Sequence, residues 1–184
     1  MGIRIFTGDD AAAVCAIQLK CPQAAQWRRE DYLELSRDPS ATILLAEIEA
    51  IAPIAVAGFA VFCRATEEAE LRNIAVDPSW RRKGLARALL ATGILAMQGC
   101  GVRELFLEVR ASNQAAIALY TSMDFRALYT RHGYYHDPVD DALVMARSIV
   151  PAPGSPVERA RQPQPDAAKR LSSVHETPEQ TMLN

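Results

Sequence analysis

The sequence predicts an α/β fold in which a mixed, mostly antiparallel β-sheet is flanked by helices. Three observations carry that expectation. Apolar residues make up 49% of the 184-residue chain, enough to fill the core of one domain. Strand-like segments come first as a run of three and later alternate with helical ones, a succession that builds a mixed sheet covered by helices. At Pro151 the composition changes: residues 151–184 hold six of the eleven prolines, four acidic against four basic side chains and only scattered apolar residues, too little to offset the entropy of ordering. A domain over residues 1–150 and a disordered Pro-rich tail over 151–184 are therefore expected.

In chain order, residues 3–6 form a short first strand and Thr7 to Asp10 supply the cap of a helix running through Lys20. A second helix is expected over 28–36. Residues 42–47, 54–63 and 69–76 read as three consecutive strands, with turn signals at 49–53 and 66–68. Asp77-Pro78 ends the third of them, and from Leu85 apolar residues recur at helical spacing through Ala88, Leu89, Thr92 and Leu95. A strand over 104–109, a helix over 113–123 and strands over 125–130 and 142–147 close the sheet. No repeat shows at any period typical of solenoids.

The handover from strand to helix carries chemistry. Arg81-Arg82-Lys83-Gly84-Leu85-Ala86, followed by Arg87, places cations and a glycine where the helix begins. The first N–H groups of a helix are unpaired and lie at the positive end of its dipole, and a glycine there lets an anion reach backbone that a side chain would shield. The string suits a pyrophosphate cradle; taken alone it equally suits a helix start that is merely solubilised.

Two further segments stand in fixed order around it: Asn73-Ile74-Ala75-Val76-Asp77-Pro78 before, and Leu107-Glu108-Val109-Arg110-Ala111-Ser112-Asn113 with Ala116-Ile117-Ala118-Leu119-Tyr120 and Phe125 after. In these three linked motifs the chain resembles the GNAT superfamily of acetyl-CoA-dependent N-acetyltransferases. Within it, the likeness is to the RimI-like branch, which acetylates the N-terminal residue of a ribosomal protein. The resemblance runs from about Arg4 to Ile149 and is densest from Asn73 to Phe125. It implies a GNAT-like sheet, acetyl-CoA as co-substrate, no metal, and a protein or peptide N-terminus as acceptor.

It also implies residue roles. Glu108 is the general base; by alternation it shares a strand face with Phe106 and Arg110, opposite Leu105, Leu107 and Val109. Read without the resemblance, a carboxylate in an apolar strand is a salt-bridge partner of a neighbouring strand. Tyr120 protonates the departing thiolate or, at the least, donates a hydrogen bond to it; the plainer alternative is an aromatic packed beside Ile117 and Phe125. Asn113, on the same helix face as Tyr120, reaches the pantetheine arm. In the superfamily a bulge splays the 73–76 strand from the 104–109 strand, so that backbone N–H groups of Ile74, Ala75 and Val76 bind the pantetheine and polarise the thioester. Arg81, Arg82, Lys83, Gly84, Leu85, Ala86 and Arg87 take the pyrophosphate. Trp27, Tyr134 and Tyr135 are candidates for the acceptor groove, the tyrosines in a loop over 131–135, or else simply cover the second helix and the sheet edge. Two departures stand out: Arg28 occupies a position where a capping Ser is usual, and Asp124 replaces the glycine that commonly precedes the Phe.

Other classes are disfavoured. A net charge of −2 argues against a nucleic-acid binder, which needs a basic face. Cys15, Cys21, Cys63 and Cys100 lack Cys-x-x-Cys pairing and read as reduced core residues, with Cys100 at a helix end. His132, His136 and His175 lack ligand spacing. No segment has the length of a membrane span and the start lacks a signal peptide's apolar run, so a cytoplasmic location is expected. Three functions remain: an N-terminal acetyltransferase acting on a ribosomal protein, an acetyltransferase of small amines or lysines, and a silent acyl-CoA sensor.

Overall fold

The computed structural model describes residues 1–48 and 55–150. Its elements are β1 (Gly2–Ile5), α1 (Ala11–Leu19), α2 (Arg29–Leu35), β2 (Ala41–Ile48), β3 (Ala55–Ala65), β4 (Glu68–Val76), α3 (Leu85–Gly99), β5 (Glu104–Arg110), α4 (Gln114–Thr121), β6 (Arg126–His136) and β7 (Val139–Ser148), with 3-10 turns at Gly8–Asp10 and Pro78–Trp80. The expected turn at 49–53, Ile54, and the expected tail at 151–184 with His175 lie outside the described residues.

The seven strands are ordered β1-β2-β3-β4-β5-β7-β6. All neighbours are antiparallel except β4 and β5, whose parallel pairing requires a crossover, and α3 supplies it. Alternation along the strands sorts the apolar residues onto two faces. Leu44, Phe62, Leu71, Leu105 and Leu107 meet α3 and α4 on one face. Leu45, Phe59, Val61 and Ala75 meet α1 and the fully buried Tyr32 of α2 on the other.

Two expectations are corrected here. In α3 the buried stripe is Leu85, Leu89, Leu90, Ile94 and Met97, whereas Leu95 is 66% exposed. The helix is apolar nearly all round, so its spacing alone admits more than one stripe; packing chooses. A Cβ on Gly93 would sit 2.0 Å from the Phe62 ring, so the glycine is what lets α3 lie against β3 on that side. The second correction concerns the loop expected at 131–135. These residues belong to β6, an edge strand exposed along nearly its whole length. An edge strand without a buried face loses the alternation by which strands are recognised, and two register shifts against β7, between Ala127 and Tyr129 and between Arg131 and Tyr135, break it further.

The cysteines are free, with Cys21 buried and Cys15, Cys63 and Cys100 only half-buried. Asp124 adopts the left-handed φ of 64° that a glycine would take more cheaply, and Phe125 N–H bonds back to Tyr120 C=O at 3.1 Å, closing α4. Arg28, which cannot act as a serine does, is served by Asp31: the carboxylate accepts from its N–H and from its guanidinium, both at 2.8 Å. No helix among the described residues is long and apolar enough to cross a membrane.

The chain's entry into α1 is held by charge. Asp10 accepts from Thr7 N–H and from both terminal nitrogens of Arg4, each at 2.7 Å. The Arg4 guanidinium lowers the Asp10 carboxyl from its ordinary 3.8 to about 2. A depressed folded-state pKa stabilises above the unfolded value and ceases to do so as pH falls through the folded one. Because the Arg4 side chain is 37% exposed, solvent screening trims the effect. Asp10→Asn should therefore cost about 1–2 kcal/mol at pH 7, a deficit that persists to about pH 4 and closes toward about pH 2. Denaturant melts across that range check it; an equal deficit at pH 2 would assign the loss to shape instead of charge.

Candidate active site

The site begins with a discontinuity in the sheet. Against β3, Val61 pairs with Asn73 and Phe62 with Leu71, so Arg72 has no partner and β4 bulges there. On its other edge β4 pairs with β5 only from Glu68/Glu104 to Leu71/Leu107. Beyond that point the strands part. Each keeps its outer neighbour, β4 remaining on β3 to Val76 and β5 on β7 to Arg110, so the walls of the opening stay rigid.

A cavity of about 780 Å³ occupies the opening. Ile74, Ala75 and Val76 line it from β4; Arg81, Arg82, Gly84, Leu85, Ala86 and Arg87 from the turn into α3; Glu108 from β5; Asn113 and Tyr120 from either end of α4; and Tyr135 from β6. Eleven of the twelve residues expected to hold the coenzyme thus share one cavity with the expected base and one acceptor tyrosine. Lys83 is the exception: its ammonium stacks 4.1 Å over the Trp80 ring.

At the head of α3, Arg82 and Gly84 both adopt left-handed backbone, at φ 63° and 82°. Nothing lies within 4 Å of where a Gly84 Cβ would be. The first helical bond runs from Ala88 N–H to Gly84 C=O at 3.0 Å, so the amides of Leu85, Ala86 and Arg87 are the orphan donors of the helix start. The Arg81 guanidinium donates to Val76 C=O at 3.2 Å and to the Cys21 sulfur at 3.3 Å, which ties this turn to the end of β4. Arg87 donates to Ser122 Oγ at 2.6 Å. The arrangement is a positively charged, open cradle of the kind that takes phosphate oxygens.

The two candidate catalytic side chains come from opposite faces of the sheet. Leu105, Leu107 and Val109 join the core under α3 and α4, so Glu108 stands on the other face, with Phe106 and Arg110. Its carboxylate is half-buried and accepts from Arg131 Nη1 at 2.5 Å. The carboxylate does form an ion pair, but not with a neighbouring strand as expected: its partner stands on β6, beyond β7, and the same Glu108 also lines the cavity. Tyr120 belongs to the α3/α4 core, 5% exposed, with its ring 5.8 Å from Phe125. Burial pushes its phenol well above the usual tyrosine range, so the hydroxyl keeps its proton. Asn113 is the cap of α4 and not its first turn, as its Oδ1 accepts from Ala116 N–H at 3.2 Å; its amide NH₂ remains.

The acceptor-side candidates divide. Tyr135 lines the cavity, and Arg110 stacks on it at 4.1 Å while donating to the carbonyls of Asp137 and Pro138. Tyr134 packs edge-on against Tyr135 at 5.1 Å, and the Glu108 carboxylate raises its pKa. Trp27 lies outside the cavity, in an adjoining depression of about 370 Å³ with Asp31, Glu34 and Asp38; Arg72 borders both. Gln18 grips the Trp27 backbone from both sides, at 2.6 and 3.1 Å, leaving its ring beside Tyr32. Sequence reasoning missed the segment from Cys21 to Gln26 and Trp80, which line the cavity beside Asn73 of the quoted motif. No local pattern marks them, because residues far apart in the chain carry them there. Among the described residues no group of His, Cys, Asp or Glu could hold a metal ion.

A bulged strand parted from its parallel neighbour above a cationic helix start defines a class of acyl-CoA-dependent transferase folds. The chain belongs to the acetyltransferase (GNAT) family, whose model matches residues 12–125. It is 49% identical over 96 residues to the [ribosomal protein bS18]-alanine N-acetyltransferase of Escherichia coli (strain K12), a match covering 51% of this chain and 65% of that protein. It is 42% identical over 78 residues to an N-alpha-acetyltransferase of Saccharolobus solfataricus, covering 42% and 46%. The chain thus spans about two thirds or less of the curated relatives it matches. Among solved structures, the E. coli ribosomal-protein-S18-alanine N-acetyltransferase superposes with a TM-score of 0.70 at 34% identity, over 83% of this chain and 96% of that one. Ard1 from Thermoplasma volcanium superposes with a TM-score of 0.69 at 26% identity, over 80% and 97%.

Proposed function

We propose that the protein transfers an acetyl group from acetyl-CoA to the α-amino group of a protein chain with a small first residue such as Ala, the natural acceptor being a ribosomal protein. The observation that carries the reading is the placement of Glu108 and Tyr120 on opposite faces of one opening in the sheet. The relatives named for N-terminal acetylation support the choice of acceptor.

The residues present fit the coenzyme. The open left-handed Gly84 and the orphan amides behind it suit its pyrophosphate, and the unpaired inner edge of β4 at Ile74 to Val76 suits its amide-bearing arm, with Asn113 beside it. The bound coenzyme supplies an acetyl thioester. Glu108 takes the proton of the amine as it attacks, from the α1/α2 face. A free α-amino group titrates near 8 and a carboxylate near 4.3, about four units apart, so the transfer is completed as the C–N bond forms and the nitrogen becomes acidic, directly or through a water. Tyr120, its phenol held protonated by burial, gives that proton to the sulfur from the α3/α4 face as the C–S bond breaks, releasing the coenzyme as its thiol, and solvent passes the proton taken by Glu108 back to the phenol. No covalent bond to the protein is required. At pH 7 an α-amine is roughly 10% neutral and a lysine amine about 0.04%, from pKa values near 8 and 10.4, so a modest base serves the former far better.

Gly84→Ala should leave the fold intact apart from about 1–2 kcal/mol of left-handed strain, since nothing occupies the space of the new methyl, yet weaken coenzyme A binding at least about tenfold by obstructing the cradle. Calorimetry reads this directly; unchanged affinity would remove the pyrophosphate from this turn. Glu108→Gln should keep that affinity and slow acetyl transfer by about two to four orders of magnitude at neutral pH, less as pH rises and free amine accumulates.

The acceptor is tested with two peptides at equal concentration, one with a free N-terminal Ala and one with a blocked N-terminus and only lysines. Mass spectrometry should find the first modified and the second nearly untouched. Faster modification of the second would give the enzyme a lysine acceptor, and no turnover of either would favour a sensor.

A further inference from the structure

Glu108 has a partner that neither the motif nor the family match assigns. We propose that Arg131 is the positioning residue of this base, holding one carboxylate oxygen and so orienting the carboxylate at the groove; the proposal rests on the reading of Glu108 given above. The two residues are not on neighbouring strands. Their ion pair crosses β7, which lies between β5 and β6. The register puts Arg131 opposite Ala142 and Ala142 opposite Arg110, while Glu108 stands opposite Val144, so all five residues share one face of the sheet. Ala142 is fully buried and small, and a long side chain from the edge strand can span it to reach Glu108.

Arg131 is itself held by an aromatic stack. Its guanidinium lies 4.3 Å over the Tyr134 ring, and Tyr134 in turn packs on Tyr135 at the groove. The register shift of β6 between Arg131 and Tyr135 gives this stretch more residues than β7 opposite it, which brings Arg131 and Tyr134 to the same carboxylate. The ion pair is between one guanidinium nitrogen and Oε1, and Tyr134 approaches the same carboxylate, so both side chains bear on its orientation at the groove. As a stabilising device the pair is weak, because Arg131 is 47% exposed. Its value is orientation. A glutamate on a strand beside an open groove has three rotatable bonds, and a base works only within hydrogen-bond reach of the amine.

The test compares the whole chain with Arg131→Ala, Arg131→Lys, Glu108→Gln and the Glu108→Gln/Arg131→Ala double variant, in steady-state acetylation of the free-N-terminus peptide. Coenzyme A calorimetry on each confirms a folded cradle; if Arg131→Ala fails it, Arg131→Gln, which keeps the stem, replaces it in both single and double form. Arg131→Ala should lower kcat about 10- to 100-fold with the acceptor KM moved by less than about threefold, the range of a lost charge-assisted hydrogen bond that acts through orientation. Arg131→Lys should recover most of the rate, because one cationic N–H suffices. In the Glu108→Gln background the loss of Arg131 should cost nothing further. Losses that multiply in the double variant, or a change confined to the acceptor KM, would overturn the proposal and leave the base in place. Parent-like turnover by Glu108→Gln would instead remove the base itself, and Arg131's role with it.

Discussion

The site depends on β4 and β5 ceasing to pair after Leu71 and Leu107 while both remain in the sheet. Unpaired backbone is costly when it is buried, and strands left without a partner normally fray. Here neither strand can move to close the gap. β3 holds the far edge of β4 through Val76, and β7 holds the far edge of β5 through Arg110. The extra residue at Arg72 lets β4 turn away without leaving β3. What remains is a slot with rigid walls whose inner edges do not pair with each other, open to the amide-bearing arm of the proposed coenzyme. The parallel pairing matters as well, since the crossover it demands brings the start of α3 to the slot's end.

Because the slot passes through the sheet, two environments meet at one point. On the α3/α4 side Tyr120 is enclosed by core residues, and a phenol so buried stays neutral. On the other side Glu108 sees Arg131 and two tyrosines in a polar, half-open setting. The proposed proton donor, Tyr120, and the proposed base, Glu108, thus stand on opposite faces of the sheet. Neither role requires an unusual residue; both follow from which face of a strand or helix the side chain occupies.

How much of this the sequence disclosed varies by face. The cradle was legible because its parts are contiguous: cations, glycine and helix start sit within residues 81–87, and helix-start physics is local. Alternation likewise placed Glu108 opposite Leu105, Leu107 and Val109. The bulge at Arg72 was not legible, since it exists only in the register with β3. Nor was the length of β6, whose exposed positions carry no period, or the route of Arg131 across β7. Trp27 could be singled out as an aromatic near the second helix, yet its position is set by Gln18, a residue one helix away whose amide gives no sign of a partner.

The contrast has a consequence for specificity. Most residues proposed for the coenzyme fall between Ile74 and Arg87, with Asn113 and Tyr120 added from α4, so a short stretch of chain carries most of that side. The side of the cavity where the acceptor is proposed to enter is assembled from three separate pieces: the connection from Cys21 to Gln26, the bulge on β4 and the β6–β7 hairpin. Each is held by polar contacts of its own. Gln26 donates to the carbonyls of Gln18, Cys21 and Ala24; Asn73 donates to Ala25 C=O and the Tyr32 hydroxyl; Arg110 ties the hairpin turn to β5. Two acceptors around its NH₂ fix the orientation of the Asn73 amide, because the flipped form would set its oxygen against a carbonyl. A wall made this way can be reshaped at any one piece while the slot and cradle persist. On the proposed function, the transfer chemistry is carried by the sheet and the choice of amine by the side chains that line its outer mouth.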